Sequence, residues 1–274
     1  MLRIGHITRR AWSGAFGARR VLPASEAYAL WAETYPPWPH NPLMELEQKV
    51  VTPIILSAAP VRALDVGTGS GRYLPVLVSA GARLVVGVDC SLPMLTQKVR
   101  LQPDAAGDAA VGRGLRPPPG DGLKTVPHQL CADACRVDRV CGDARHLPFG
   151  DASFDLISSS LMVGDVADLT SWVREVARVV APGGQVIYSD FHPSWATERW
   201  RRTFRTAGGR TFEIARFPHT IADHVTALEA RSFDVRAIYE PRLAEPDRAA
   251  GPAGARRHDV PIVVVFHAVK RECG

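Results

Sequence analysis

Residues 63–74, ALDVGTGSGRYL, combine an acid with three closely spaced glycines, a pattern that could hold a ligand. The glycines are Gly67, Gly69 and Gly71. Their spacing is G-x-G-x-G, and Arg72 stands where the dinucleotide fingerprint G-x-G-x-x-G requires its third glycine. Asp65 lies two residues before the first glycine, and a carboxylate there is unfavourable beside a pyrophosphate but favourable beside a cation. The pattern therefore favours a cationic ligand over a dinucleotide.

Two further acids follow predicted strands. Asp89 ends the apolar segment 83–89, and Asp143 follows a third short strand in the segment CGDARHLPF. Ligands of open parallel sheets bind beyond the carboxyl ends of the strands, where Asp89 could accept two ribose hydroxyls and Asp143 an adenine amino group. Each acid taken alone is equally well explained as a helix cap. Three in this order behind the glycine turn favour S-adenosylmethionine (SAM), which carries a sulfonium and an ammonium group and no phosphate.

The elements that must position these residues alternate along the chain. From Val61 onwards short apolar strands alternate with helices, which predicts an α/β fold with helices on both faces of a mostly parallel, Rossmann-like sheet of seven strands. Residues 241–260 are rich in proline, glycine and charge and contain no convincing helix. We therefore expect the last strand, 261–270, to return antiparallel beside the sixth.

The chain before this sheet predicts a helical lid and a basic leader. In the lid, residues 24–60, one amphipathic helix spans 25–35, and a second begins at the N-cap Asn41 and runs to about Ala59 with a kink or break at Pro53. Residues 1–23 carry five arginines, no acid and no apolar stretch of a secretory signal. We expect a disordered leader, with an organellar transit peptide as the alternative, followed by the lid and a catalytic domain over 61–274.

Two insertions interrupt the alternation within this domain. Residues 101–135 are rich in glycine, proline and alanine and predict a mobile surface segment. Residues 194–218 predict a hairpin on the substrate side, because WRRTFR and RTFEIARF flank the turn TAGG. Cys131, Cys135 and Cys141 form C-x3-C-x5-C, which lacks the C-x2-C pairs of structural zinc sites. We expect no metal and regard the thiols as incidental, with a metal site as the alternative.

Composition limits the remaining classes of protein. The 274 residues are 46% hydrophobic, enough for one sizeable core, and no apolar run approaches the roughly 20 residues that span a bilayer. The net charge of +5 is modest and not clustered as in nucleic-acid-binding proteins. Five cysteines, an odd number, argue against a disulfide framework and for the reducing cytoplasm. We therefore expect a cytoplasmic protein with neither a membrane span nor a nucleic-acid partner.

Four stretches resemble the motifs of class I SAM-dependent methyltransferases: ALDVGTGSG, VVGVDCSLPML, CGDARHLPFGDASFDLISSSL and REVARVVAPGGQVIYSDF. They cover 61–191 apart from the insertion 101–135. The resemblance implies SAM as cofactor and S-adenosylhomocysteine as product. It implies the following cofactor contacts: Asp65, Gly67, Gly69 and Gly71 at the methionine part, Asp89 at the ribose, Cys90 and Met94 at the adenine, Asp143 and Ala144 at its edge, and Ser159 after the fourth strand.

The lid resembles that of more particular methyltransferases. Tyr28, Trp31 and Tyr35 match the aromatic lid of the ubiquinone- and menaquinone-type enzymes, which implies that Tyr35 also contacts the cofactor. The overall layout is similar to that of methyltransferases acting on malonyl-acyl-carrier-protein. Both resemblances cover the core well and the substrate elements poorly.

Methyl transfer is an in-line displacement, for which alignment and exclusion of water supply most of the rate. A hydroxyl, amine or carbon acid also needs a base, whereas a carboxylate attacks unaided. His192, after the fifth strand, is the first candidate base, although a backbone group could satisfy it instead, and His40 is the second. His40 is also a candidate contact to the acceptor. Arg202 and Arg205 in the hairpin could contact an anionic or carrier-bound acceptor, or form a solvated face.

The predicted function is methyl transfer to a small molecule, with O-methylation favoured. The alternatives are C- or N-methylation of a quinone-like or natural-product acceptor, and a binding module that senses SAM without turnover. An NAD-dependent oxidoreductase is disfavoured by Arg72 at the third-glycine position.

Overall fold

A computed structural model describes residues 19–97, 135–198, 200–242 and 260–272. Predictions for residues 1–18, for the insertion over 101–134 and for Cys131 lie outside the described residues. No helix in the described ranges is long and apolar enough to cross a membrane.

Ten strands and seven α-helices are present in the described residues. The strands are β1 Val21–Leu22, β2 Arg62–Val66, β3 Leu84–Asp89, β4 Arg136–Cys141, β5 Phe154–Ser160, β6 Val180–Phe191, β7 Thr203–Arg205, β8 Thr211–Ile214, β9 Phe233–Tyr239 and β10 Val263–Lys270. The helices are α1 Ala24–Trp31, α2 Pro42–Ala58, α3 Leu74–Ser79, α4 Leu92–Leu95, α5 Leu169–Val179, α6 Ser194–Thr197 and α7 Ile221–Glu229. Short 3-10 helices span Ala32–Thr34 and Val163–Asp165.

The main sheet has seven strands in the order β4-β3-β2-β5-β6-β10-β9. The first five are parallel to their neighbours, and β10 is antiparallel to both β6 and β9. The predicted α/β class, strand number and antiparallel last strand are confirmed. After β4 the chain returns past β2 to form β5, so the strand order reverses between β2 and β5, which is where such sheets bind ligands.

Helices cover both faces of this sheet. On one face α5 and α7 bury Trp172, Val176 and Leu228 against strand residues that include Ile157 and Phe266. On the other face α2 and α3 bury a second apolar cluster against the same strands, with Ile55, Leu77, Val85, Leu156 and Ile187 among its members. Nearly continuous apolar strands such as LVVGV in β3 are required because both faces are covered.

A second, three-stranded sheet has the order β1-β8-β7. Strands β7 and β8 form the antiparallel hairpin predicted within 194–218, and β1 pairs parallel with β8. Phe204 and Phe212 are buried against Ala27 of α1, so the hairpin packs on the lid. Residues 21–22, which we assigned to a disordered leader, form β1 instead, and that part of the prediction is wrong.

Helix α2 begins as its sequence predicts. The Asn41 side chain accepts a hydrogen bond from the Met44 N–H at 2.9 Å, with Pro42 at the first helical position. Pro53 lies inside the helix, which runs on to Ala58, so the predicted alternative of a break at Pro53 is wrong. The buried face of α2 attaches the lid to the sheet over its full length.

Candidate active site

A cavity of about 830 Å³ lies beyond the carboxyl ends of the central strands. Its floor contains the loop after β2 and the ends of β3, β4 and β5, and its walls come from α1, the start of α2 and the hairpin. The sheet edge and the lid therefore enclose one continuous space.

The glycine loop follows the floor closely. Gly67, Gly69 and Gly71 have φ angles of 71°, 54° and 90°, in the left-handed region that side chains disfavour. A Cβ on Gly67 would lie 2.4 Å from Cγ of Met162, so only glycine fits. Gly67 and Gly69 line the cavity, whereas Gly71 does not and donates its N–H to the Thr68 carbonyl instead. Gly71 thus shapes the turn.

Asp89 faces the cavity from the end of β3. Its Oδ2 accepts the Gly69 N–H at 2.8 Å and its Oδ1 accepts the Ser91 N–H at 2.8 Å. Burial raises the pKa of this carboxyl, and the two N–H donors partly oppose that rise. Each oxygen keeps a second lone pair, so the carboxylate can accept two hydroxyl groups of a ribose.

Asp65 lines the same floor and is almost completely buried. It accepts the Ser158 hydroxyl at 2.7 Å from the neighbouring β5. Burial raises the pKa of Asp65 to about 6, with the Ser158 hydrogen bond opposing the rise. A carboxylate that has lost its hydration is suited to a cationic ligand.

The predicted adenine residues also lie along this cavity, including Cys90, Met94, Asp143 and Ala144. Met94 is buried, while Cys90 is exposed. Both oxygens of Asp143 already accept hydrogen bonds from Arg145, the shortest at 2.6 Å from Nη2 to Oδ2. An adenine amino group would therefore share this carboxylate with Arg145.

Ser159 is not brought to the cavity. It lies within β5 and not after it, is buried, and has no hydrogen-bond partner for its hydroxyl within the described residues. Ser160 lines the cavity instead, and its hydroxyl donates to Glu47 Oε1 at 2.8 Å. Side chains alternate along a strand, so Ser158 and Ser160 share the face that Ser159 leaves. This alternation is the sequence signal that the prediction overlooked.

Glu47 is a second residue that the sequence analysis missed. It lies on α2, is fully buried, and accepts hydrogen bonds from Tyr73, Ser160 and Ser189, each at 2.8 Å. Nη2 of Arg72 lies 2.9 Å from Glu47 Oε2. The only signal was a lone acid on an apolar helix face. Glu47 neutralises Arg72 beside the cavity and ties the lid to the sheet.

Aromatic rings form the upper wall. Trp31 stacks on Phe204 with centroids 5.2 Å apart, and Tyr35 meets Trp31 edge-on at 4.8 Å. Tyr28 stacks beside Trp31 at 6.0 Å. Burial raises the pKa of Tyr35, so its hydroxyl stays protonated at neutral pH. This wall is apolar and suits a ring-bearing or hydrophobic ligand.

The two candidate bases are placed differently. His192 does not line the cavity: its Nδ1 accepts the Ser194 N–H at 3.1 Å and its Nε2 lies 2.8 Å from Glu240. His40 does line the cavity, with its ring 5.4 Å from that of Tyr35. His192, the first candidate base from the sequence, therefore lies outside the cavity lining, although Phe191 before it and Trp195 after it belong to that lining.

The hairpin arginines are largely paired. Arg202 forms a buried ion pair with Asp165 and lies over the ring of Phe191, with Cζ 5.0 Å from the centroid. Arg201 pairs with Glu213 at 2.6 Å. Arg205 lines the cavity and donates to the Gly209 carbonyl at 3.0 Å. The charge of Arg202 at the cavity is therefore neutralised by Asp165. Arg205 has no acidic partner within the described ranges, so it faces the cavity as a cation.

A mostly parallel sheet in this strand order, with a glycine loop and acids at successive strand ends, is the architecture of class I methyltransferases. Residues 42–236 match the model of a family described as "Methyltransferase domain". The chain belongs to this family, whose class uses SAM as methyl donor, and the resemblance predicted from the motifs is confirmed.

Curated relatives match the chain in part. It is 35% identical over 136 residues to the demethylmenaquinone methyltransferase of Roseiflexus castenholzii, covering 48% of this chain and 44% of that protein. It is 31% identical over 137 residues to the biotin biosynthesis bifunctional protein BioHC of Cellvibrio japonicus, covering 50% of this chain and 21% of that protein. The matches thus span less than half the length of either relative.

Solved structures share the fold at low identity. A SAM-dependent methyltransferase from Mesorhizobium loti superposes with a TM-score of 0.53 at 22% identity, covering 80% of this chain and 96% of that one. The cyclase SpnF superposes with a TM-score of 0.54 at 16% identity, covering 94% of this chain and 100% of that one. Because the fold is shared with a cyclase, the reaction has to be argued from the family and the site.

Proposed function

We propose that the chain transfers a methyl group from SAM to a small-molecule acceptor that binds in the aromatic half of the cavity. The observation that carries this proposal is the continuity of the space. Asp65, Asp89 and the glycine loop line it from the sheet, and the rings of Trp31 and Phe204 line it from the lid and the hairpin. Two ligands can therefore meet in one space.

The residues present fit SAM. Asp65, Gly67 and Gly69 would hold the methionine part, Asp89 the ribose, and Cys90, Met94, Asp143 and Ala144 the adenine, with Tyr35 closing the site from the lid. When bound, SAM supplies an activated methyl group on a sulfonium. The left-handed backbone of the glycine loop allows close approach, while the buried Asp65 carboxylate favours a cation over a phosphate.

The chain's own contribution to the rate is positioning. The stacked rings of the lid and hairpin exclude water, and Glu47 holds α2 at a set distance from β5 and β6. An acceptor atom confined between these walls attacks in line at high effective concentration.

The acceptor we favour is an apolar, ring-bearing molecule that is methylated on oxygen. The aromatic wall supports a ring-bearing acceptor, and one relative is named a demethylmenaquinone methyltransferase, which keeps C-methylation of a quinone-like acceptor as the alternative. A second candidate is an anionic or carrier-bound acceptor, since Arg205 faces the cavity without an acidic partner in the described part of the chain. The pairing of Arg202 with Asp165 argues against Arg202 as the anion contact.

Free thiols support a location in the cytoplasm. Cys90, Cys135 and Cys141 are unbridged. Unbridged cysteines are typical of reducing compartments, so we propose that the reaction takes place there.

Calorimetry and a labelled-methyl assay test the proposed function. We expect SAM and S-adenosylhomocysteine to bind at micromolar level, and NAD and ATP far more weakly, because the acids repel phosphates. Methyl-labelled SAM should pass its label to members of a panel of phenols, quinols, carboxylic acids and acyl-carrier thioesters. Tighter binding of NAD than SAM would refute the cofactor assignment, and tight SAM binding without label transfer would favour the sensing module.

A further inference from the structure

His40 occupies a fixed position on the cavity wall. It directly precedes Asn41, the N-cap of α2, so the helix anchors its backbone. Its ring meets Tyr35 edge-on at 5.4 Å and Trp31 edge-on at 6.0 Å. These contacts hold the imidazole against the aromatic wall, beside the space assigned to the acceptor.

The backbone selects the tautomer of this imidazole. Nδ1 lies 3.3 Å from the Trp38 carbonyl oxygen, which can only accept, so Nδ1 carries the hydrogen. In the neutral ring the lone pair is then on Nε2. Nε2 has no hydrogen-bond partner among the described residues. It is also absent from the buried side-chain atoms of these residues that lack a partner. Nε2 is therefore the nitrogen available to a ligand.

The charges around His40 keep the ring neutral. Burial lowers the pKa of His40, the Trp38 carbonyl opposes this, and the Arg72 guanidinium lowers it further. Arg72 is itself paired with Glu47, and the ring of Tyr35, whose hydroxyl is protonated, also packs against the imidazole. A neutral imidazole with an accessible Nε2 lone pair is the form that can accept a proton at pH 7.

From this geometry we propose that His40 is the general base of the reaction, and that the acceptor carries a hydroxyl of phenol or enol type. The inference rests on the proposed function and deepens it. The acceptor's O–H bond breaks as its oxygen bonds to the methyl carbon, and the proton passes to Nε2. The electron pair of the sulfur–methyl bond leaves with the neutral thioether, so the single positive charge moves from sulfonium to imidazolium.

The proposal separates two acceptor classes. A carboxylic acid is already ionised at pH 7 and gains nothing from a base. A hydroxyl group is protonated and gains the factor of about 10² to 10⁴ that a positioned base supplies. A base at His40 therefore points away from ester formation at a carboxylate, and among the acceptors that must lose a proton we propose the hydroxyl because O-methylation is the favoured reaction.

Kinetics of His40→Gln, with His192→Gln as matched control, test the role. We expect kcat for the best phenol or quinol of the panel to fall about 100-fold or more in His40→Gln, with KM and SAM affinity little changed. In the wild type kcat/KM should fall as pH drops below a pKa lying under the usual imidazole value of about 6.5, and His40→Gln should lose that limb. His192→Gln should retain both kcat and the limb, because its ring lies outside the cavity.

Long-range proton–nitrogen NMR of the ligand-free wild type provides a readout that does not depend on turnover. With His40→Gln used to assign the signals, Nδ1 should show the protonated and Nε2 the unprotonated nitrogen shift. A wild-type kcat in His40→Gln, or hydrogen on Nε2, would overturn the proposal. Absence of label transfer from the wild type to every acceptor would instead refute the proposed function.

Discussion

At the scale of single residues, three aspartates at equivalent strand ends occupy three different environments. Asp65 is buried at the cavity floor and accepts the Ser158 hydroxyl. Asp89 accepts two backbone N–H groups at the cavity floor. Asp143 is partly exposed and saturated by Arg145. The same residue type at successive strand ends is therefore expected to contribute to SAM binding to different degrees.

Replacing Asp89 by Ala should raise the Kd for SAM about 10- to 100-fold. The carboxylate accepts charge-assisted hydrogen bonds worth about 1.5–3 kcal/mol, and about 1.4 kcal/mol corresponds to tenfold in affinity. Asp143→Ala is the matched control and should lose less SAM affinity. Both oxygens of Asp143 already accept hydrogen bonds from Arg145, and the carboxylate is partly exposed to solvent. Calorimetric titration with SAM measures both. An unchanged Kd for Asp89→Ala would reduce Asp89 to a cap of α4.

At the scale of elements, α2 is joined to the sheet through one acid. The helix buries the apolar residues Leu43, Val51 and Ile55. Apolar contacts of this kind would allow α2 to pack on the sheet in several registers. Glu47 removes that freedom, since its oxygens must meet hydroxyls from β5, β6 and α3's leading turn together with Arg72. The lid and the sheet are thereby held in one arrangement around the cavity.

Glu47→Ala should lower the free energy of unfolding by about 3–5 kcal/mol, because it leaves Arg72 buried without its counter-ion. Glu45→Ala is the control on the same helix. Glu45 is exposed in the first turn and should cost less than about 1 kcal/mol through the helix dipole. Urea unfolding of the two variants measures the difference. Equal losses would show that the buried network contributes nothing beyond helix stability.

At the scale of the whole molecule, buried ionisable groups give the fold opposing responses to pH. Burial lowers the pKa of His224 to about 3, where its ring packs against both Tyr188 and Phe266. Burial raises the pKa of Asp190 to about 7 and that of Asp65 to about 6. As pH falls through the weakly acidic range, His224 binds a proton more readily in the unfolded chain, which lowers native stability. The two aspartates bind a proton more readily in the native state, which raises native stability.

Replacing His224 by Gln should remove one of these responses. Between pH 6.5 and 3 the unfolded chain binds a proton at this histidine that the native state does not, so native stability falls by up to about 1.4 kcal/mol per pH unit. The stability advantage of the wild type over His224→Gln should therefore shrink by that amount from pH 6 to pH 5. Denaturant unfolding at each pH measures the advantage.

Thr226→Ala on the same helix is the control for this series, because Thr226 is exposed and carries no titratable group. The stability difference between the wild type and Thr226→Ala should stay constant over the same pH range. A constant difference for His224→Gln as well would contradict the buried neutral ring.

The sequence by itself determined the sheet and the cofactor-facing edge. Strand and helix periods, and loop composition after β9, were sufficient for seven strands with the last antiparallel, because these are properties of contiguous residues. Parallel strands bring their carboxyl ends to one edge, so Asp65, Asp89 and Asp143 were located without coordinates.

Only the tertiary structure decided which side chains meet across elements. It placed His40 and Ser160 in the cavity lining, left His192 and Ser159 out of that lining, and paired Arg202 with Asp165. It also revealed Glu47, whose partners come from three separate segments. Each of these outcomes depends on a burial or charge match between residues distant in sequence. A local sequence pattern indicates which groups a residue can bind. The packing of the lid on the sheet decides which groups lie within contact distance of it.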